Sequence, residues 1–343
     1  MANNKSKDSI MNKNISTLTA ISFAAALTLA ACGGGGGDSG GSSNGDSSNN
    51  NGSSSTPPAS TATSANVTTP QYAADSAQLA IFNTINQQRQ RCGFPALTEN
   101  TQLDSASQAH ADYIGNNGGT ITDSEVSTNA GYTGVTYADR ATKVGYPAST
   151  VSIGGESAGY WTGATLSEAA YGTNIANAWA SGVYHIGAFV WPVTQIGIGW
   201  NETTYSNFPE AHGVITTANL QKMSGSVPLM FPCDGATGVP YKDVGESPTP
   251  PNSNGTVGPA LAVASNPGDT VVLTSGTLTD TLGNVVSLQV LNASTDPNKL
   301  IQTFEARAYS ATPLTANTKY SVSLSGTING TPFSRTGSFT TGS

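Results

Sequence analysis

The chain has 343 residues, with 13 Lys and Arg against 21 Asp and Glu, a formal charge of −8. A chain so poor in cations is excluded from nucleic-acid binding that rests on phosphate contacts. Only 10% of its residues are charged, while Gly, Ser, Thr and Asn abound, a composition that suits an exported protein.

In chain order, Lys5, Lys7 and Lys13 precede an apolar run from about Ile15 to Ala31. A cationic start, a short apolar stretch and small residues at a cut site form the layout of an export signal, here residues 1–31. The run is broken by Ser16, Thr17, Thr19, Ser22 and Thr28, too polar and short for a bilayer span. Leu29-Ala30-Ala31-Cys32 resembles the lipobox of bacterial lipoproteins. The resemblance implies lipidation of Cys32, membrane attachment through it and export to the cell envelope, at the outer membrane since Gly33 follows, or to the outside. The other reading is an ordinary secreted protein with a chance cysteine. Residues 32–71 are Gly, Ser, Asn, Thr and Pro with little that is apolar, so a flexible tether is predicted. Cys92 and Cys233 remain as an even pair in an oxidising compartment, and the expectation is a bridge between them, with two buried thiols as the alternative.

Leu79, Phe82 and Ile85 recur at helical spacing after a cap at Asp75 or Ser76, and Gly93 can end that helix. A second helix is predicted from near Asn100, with Leu103, Ala106, His110 and Tyr113 on its apolar stripe. A third starts at Thr165-Leu-Ser-Glu168, a capping-box pattern, and reaches Trp179. Ile196–Trp200 and Val214–Thr217 read as strands. Helices first and strands late give an α+β class.

Five blocks in order carry a family resemblance. Asn86-Gln-Gln-Arg89 with Gly93-x-x-x-Leu97, Leu103 through Gln108-Ala-His110, Gly155-Glu156-Ser157, Trp179-Ala-Ser181-Gly-Val-Tyr-His185, and Gln195-Ile-Gly197-Ile-Gly199 together resemble the CAP (SCP-like) superfamily. The resemblance implies an α-β-α sandwich over residues 72–241 and a cleft where two His and two acids can hold zinc, calcium or magnesium. Glu156 and His185 match two of these positions. Asp123 or Glu125 must stand in for the missing first His, and the second acid is absent, since Ala180, Ser181 and Gly182 occupy its place. Glu156 and His185 are the candidate catalytic pair, as general base and orienter on water. The structural alternative has them hydrogen-bond across the cleft and hold its loops together. His110, on an apolar stripe, is a secondary candidate, read first as a satisfied core residue. Gly155-Glu-Ser-Ala-Gly159 also resembles the nucleophile elbow of carboxylesterases, which requires a strand before the serine and a helix after it.

Residues 242–258 are Pro-rich and read as a linker, and Phe231–Gly238 reads as a loop. From 259 to 343 strand patterns recur at Val271–Leu273, Val285–Leu291, Phe304–Tyr309 and Tyr320–Leu324, with a hairpin signal at Asn329-Gly330. The end of the chain resembles bacterial Ig-like repeats, which implies an all-β sandwich acting as a spacer or adhesion module. The combined expectation is an envelope lipoprotein that binds a small or lipidic, sterol-like ligand or an envelope partner rather than turning over substrate. A metal-assisted hydrolase is the alternative.

Overall fold

The computed structural model describes residues 18–20, 65–148 and 154–343. Cys32 and residues 33–64 of the expected tether lie outside the described residues, as does all of the export segment except 18–20. In chain order come β1 (Leu18–Ala20), α1 (Ala77–Arg91), β2 (Thr98–Glu99), α2 (Thr101–Asn116), α3 (Tyr137–Lys143), β3 (Gly154–Tyr160), α4 (Glu168–Ser181), α5 (Gly187–Val190), β4 (Val193–Tyr205) and β5 (Phe208–Leu220). There follow β6 (Leu229–Phe231), β7 (Ala236–Val239), β8 (Asp243–Val244), β9 (Glu246–Ser247), β10 (Thr256–Val257), β11 (Leu261–Ala264) and β12 (Val271–Asp280). The last are β13 (Val285–Ser287), β14 (Gln289–Asn292), β15 (Glu305–Tyr309), β16 (Lys319–Ile328) and β17 (Thr331–Thr341). The α+β class is the observed one.

The first sheet runs β2-β4-β5-β3-β1-β9. Its centre is a long antiparallel hairpin, β4 with β5, paired from Val193↔Leu220 to Tyr205↔Phe208. Ser206 and Asn207 turn it with φ of 48° and 68°. Two successive positive φ values are what a two-residue hairpin turn of the favoured hand requires. Side chains alternate across the sheet, and both faces are covered. Ile196, Ile198, Ile215 and Ala158 pack in one cluster with Ile81, Ile85, Ile175 and Trp179 of α1 and α4. Val214 and Ala218, from the opposite face, pack with residues of α2 and α3. The result is the expected α-β-α layering.

Gly197 and Gly199 explain how α2 lies so close. A Cβ on Gly197 would stand 2.0 Å from the Leu103 carbonyl carbon, and one on Gly199 2.2 Å from the Ser107 carbonyl. The alternating Ile-Gly-Ile-Gly run thus presents apolar side chains to one layer and bare backbone to the other.

Local signals fix most helix ends. Ser76 Oγ accepts from the Leu79 amide, and Asn100 Oδ1 from those of Gln102 and Leu103. In α4 the cap is Ser167, two residues past the predicted Thr165. Helix α3 has a full capping box between Thr136 and Asp139, with Asp in place of the usual Glu or Gln. The described chain resumes at 65, within the span read as tether: Asn66 bridges to Asn100, and the Val67 amide donates to the Glu99 carbonyl at 3.1 Å.

The second half forms two sheets, β14-β15-β11-β6 and β13-β12-β16-β17-β7. Leu261, Val263, Ala306 and Ala308 of one pack against Leu273, Leu278, Val322, Leu324 and Phe339 of the other. Asn329 (φ 51°) and Gly330 (φ 81°) turn the β16–β17 hairpin as the sequence signal required. Strand β7 falls where a loop was predicted and joins the edge of one sheet, while β6, just before that loop, joins the edge of the other, so the β-sandwich begins before residue 241. Between them Cys233 is bonded to Cys92 at the end of α1, with 5.1 Å between Cα atoms.

The two halves share one core. Ala260, Ala262, Ala264, Leu300, Phe304 and Tyr309 belong to the same buried cluster as Phe189 and Trp191. Every residue of β11 and β15 is buried, as expected of strands covered on both faces. The predicted linker is also folded in: β8 pairs with β10, β9 joins the first sheet, and Asp243 and Glu246 are buried.

Candidate functional site

Glu156 sits mid-strand in β3 and faces the α4–α5 layer. Its Oε1 accepts from the Ala188 amide at 3.3 Å, while its buried Oε2 has no partner. Burial raises its pKa to about 8, against the pull of His185 and Arg307. His185 follows the end of α4 and is fully buried. Its Nδ1 lies 2.7 Å from Glu246 Oε1, and its Nε2 is buried without a partner. Burial alone would depress this imidazole, but the bond to Glu246 and the nearby Glu246 and Glu156 carboxyls outweigh it and hold the pKa at about 9.

Glu246 organises this corner. Besides His185, it accepts from the amides of Val183 (3.0 Å) and Tyr184 (2.5 Å), just past α4. Gly182 makes room, since a Cβ there would stand 2.9 Å from Glu246 Oε1 and 3.1 Å from His185 Nδ1. Asp243 accepts from Ser181 Oγ at 3.0 Å, and burial beside Glu246 raises its pKa to about 7. The β-sandwich closes the far wall. Arg307 pairs with Glu305 at 2.8 Å and donates to the Val183 carbonyl at 2.5 Å, while Trp191 Nε1 donates to Glu305 at 3.0 Å. Tyr184 donates to Asp296 at 2.8 Å.

Glu156, His185 and the expected stand-in, Asp123 or Glu125, do not converge on one point. Glu156 and His185 share one face and act on each other electrostatically, and the Asp123 carboxyl acts on both more weakly. Asp123 lies across the sheet, where it accepts from Ser157 Oγ at 2.9 Å and Tyr137 OH at 2.8 Å. Adjacent strand residues point to opposite faces, so Ser157 and Glu156 cannot present their side chains to one ion. Glu125 is further removed. It meets His110 Nδ1 at 3.0 Å, the Thr133 amide at 2.5 Å and the Gly134 amide at 3.1 Å. The Thr122 carbonyl, 2.7 Å from Nε2, completes the His110 set. His110 is therefore the satisfied core residue of its first reading, and it ties α2 to the 122–134 loop. Among the described residues no group of three or more His, Cys, Asp or Glu is arranged to hold a metal ion.

The esterase motif is also corrected. Ser157 pairs with Val214 in the middle of β3, not on the strand-to-helix turn that exposes a nucleophile. Its hydroxyl is spent on Asp123 and the Thr122 carbonyl.

Two other motif residues prove architectural. Asn86 bonds both backbone groups of Leu97, at 3.0 and 2.7 Å. Arg89, fully buried, donates to the carbonyls of Pro95, Ala188, Trp191 and Val193, and burial lowers its pKa to about 9. It thereby fixes both α5, whose Ala188 amide reaches Glu156, and the turn from α5 into β4.

Glu246, Asp243 and Arg307 were missed because they lie more than 50 residues from His185 in sequence. The only available signal was Asp243-x-x-Glu246 in a chain with few charges, and nothing local shows that this segment turns back.

The layered fold is an α-β-α sandwich with a Glu–His pair on one sheet face. Residues 82–219 match the family model for the cysteine-rich secretory protein family, CAP, and this segment is a CAP domain. No curated protein matches the chain.

Proposed function

We propose that this is a cell-envelope lipoprotein whose CAP domain holds a small or lipidic ligand, or an envelope partner, at the Glu156–His185 site without turning it over. One observation supports this best: Glu156 Oε2 and His185 Nε2 are both buried and unpartnered, while the remaining atoms of both groups are tied to the fold. Buried polar atoms of this kind are normally satisfied. Near neutral pH both groups carry protons, given values of about 8 and 9. They would then offer donors to an oxygen acceptor, such as a carbonyl or hydroxyl of the ligand. A protonated Glu156 is not a ready general base, which favours holding over hydrolysis.

The metal-assisted hydrolase keeps one observation in its favour. A His whose Nδ1 is held by a carboxylate with Nε2 free is the arrangement second-shell acids give to metal ligands.

Calorimetry with zinc, magnesium and calcium on the wild type and Glu156→Gln separates the readings. No heat with any ion is the expected result. Binding that weakens by well over about tenfold in the variant would favour the hydrolase. The anchor is checked by Cys32→Ala, which should lose lipid labelling and membrane retention.

A further inference from the structure

The sheet carries a second recognition feature at the outer side of β3. One side of β3 is paired with β5 at seven positions, from Gly154↔Thr217 to Tyr160↔Ala211. The other side is completed by β1, antiparallel, with Leu18↔Ala158, Thr19↔Ser157 and Ala20↔Glu156. The same three-residue strand pairs in parallel with β9, with Leu18↔Glu246 and Thr19↔Ser247. Strands β3 and β9 therefore stand two strand spacings apart, about 9.5 Å. The gap between them admits one extended chain.

This position is unusual in two ways. Gly154 to Gly159 are all buried, so backbone groups left unpaired there would be costly. And β1 belongs to the export segment, so on the reading proposed above it leaves the protein when the chain is cut before Cys32. The slot would then present unpaired backbone on both rails, a template for strand addition. The rails also carry Glu156 and Glu246, the two carboxyls that flank His185. An acidic insert would bring a further carboxyl against two that are already buried there.

We propose that the β3–β9 slot is a strand-acceptor groove for an extended, uncharged peptide, filled before processing by this chain's own Leu18–Ala20 and opened when the export segment is removed. Recognition is through main-chain hydrogen bonds to the rails. Because the rails bear Glu156 and Glu246, occupancy is felt at His185.

The test uses the protein purified from membranes of exporting cells, its N-terminus read by mass spectrometry. The probe is a synthetic peptide of residues 15–24, and the readout is amide hydrogen exchange across 154–160. In protein beginning at Cys32, the expected result is β3 exchange about tenfold faster than in the unprocessed precursor, slowed again by the peptide. A peptide carrying Thr19→Pro, which removes a ladder donor, should not slow it. Equal exchange with and without the peptide would overturn the groove. If residues 1–31 are retained, the export reading fails separately. Thr19→Pro in that intact chain then decides: faster β3 exchange upholds the groove, and unchanged exchange overturns it.

Discussion

At the scale of single residues, the site is set by how burial and pairing divide protons among His185, Glu156 and Asp243. The His185 pKa is raised above 6.5 to about 9. Its stabilising contribution is thus complete below pH 6.5 and is lost as pH climbs through about 9. Glu156 acts in the same direction. The unfolded chain gives up that proton from about 4.5, while the folded chain keeps it to about 8. His110 and His212, both lowered by burial, act oppositely, but their effect is complete by pH 6.5. The urea midpoint should therefore fall between pH 6.5 and 9, and fall less in His185→Gln, where Glu156 still gives up its proton. A flat profile in the wild type would contradict the assignment. The sequence marked Glu156 and His185 through the CAP resemblance. It could not show that Asp123 and Glu125 face elsewhere, because strand alternation and loop packing decide that.

At the scale of elements, the α-β-α core was readable wherever apolar period and caps agreed, as in α1, α2 and the centre of the β4–β5 hairpin. Helix α3 escaped because it is only about two turns long, with an Asp in its capping box. The ends of the hairpin escaped because Asn201–Tyr205 is polar and its turn is Ser-Asn, without the glycine that signals such turns. The Ile-Gly-Ile-Gly run was recognised as a motif, and the structure supplies its reason in the close approach of α2. Gly199→Ala should cost about 1–3 kcal/mol, the usual penalty of overpacking, as the added methyl meets backbone that cannot turn aside. Denaturant titration checks it. A neutral substitution would mean that α2 is free to shift. The disulfide closes a span of 141 residues. In the chain-entropy picture such a loop contributes on the order of 4–5 kcal/mol, and it pins the end of α1 to the start of the sandwich.

At the scale of the molecule, the boundary drawn from composition does not describe the packing. The 242–258 stretch looks like a linker because proline dominates it, yet Asp243 and Glu246 are buried against the end of α4. Strand β15, Glu-Ala-Arg-Ala-Tyr, reads as polar on one face, as a solvent-facing strand would. In the fold, that face carries Glu305 and Arg307 into contact with Trp191 and Val183. The β-sandwich is accordingly a wall of the CAP site, rather than a free spacer. Such pairings join residues more than 100 positions apart, and no local pattern announces them.

The segment after the CAP domain completes the site through Glu246, which holds His185 protonated. The chain has three histidines, so an NMR titration of the imidazoles resolves each of them. In the wild type, the signal assigned to His185 should titrate near pH 9, and in Glu246→Gln it should titrate at clearly lower pH, because the bond to Glu246 and its charge, the largest of the effects that oppose burial, are gone. A His185 that titrates near 6.5 in both proteins would contradict the account.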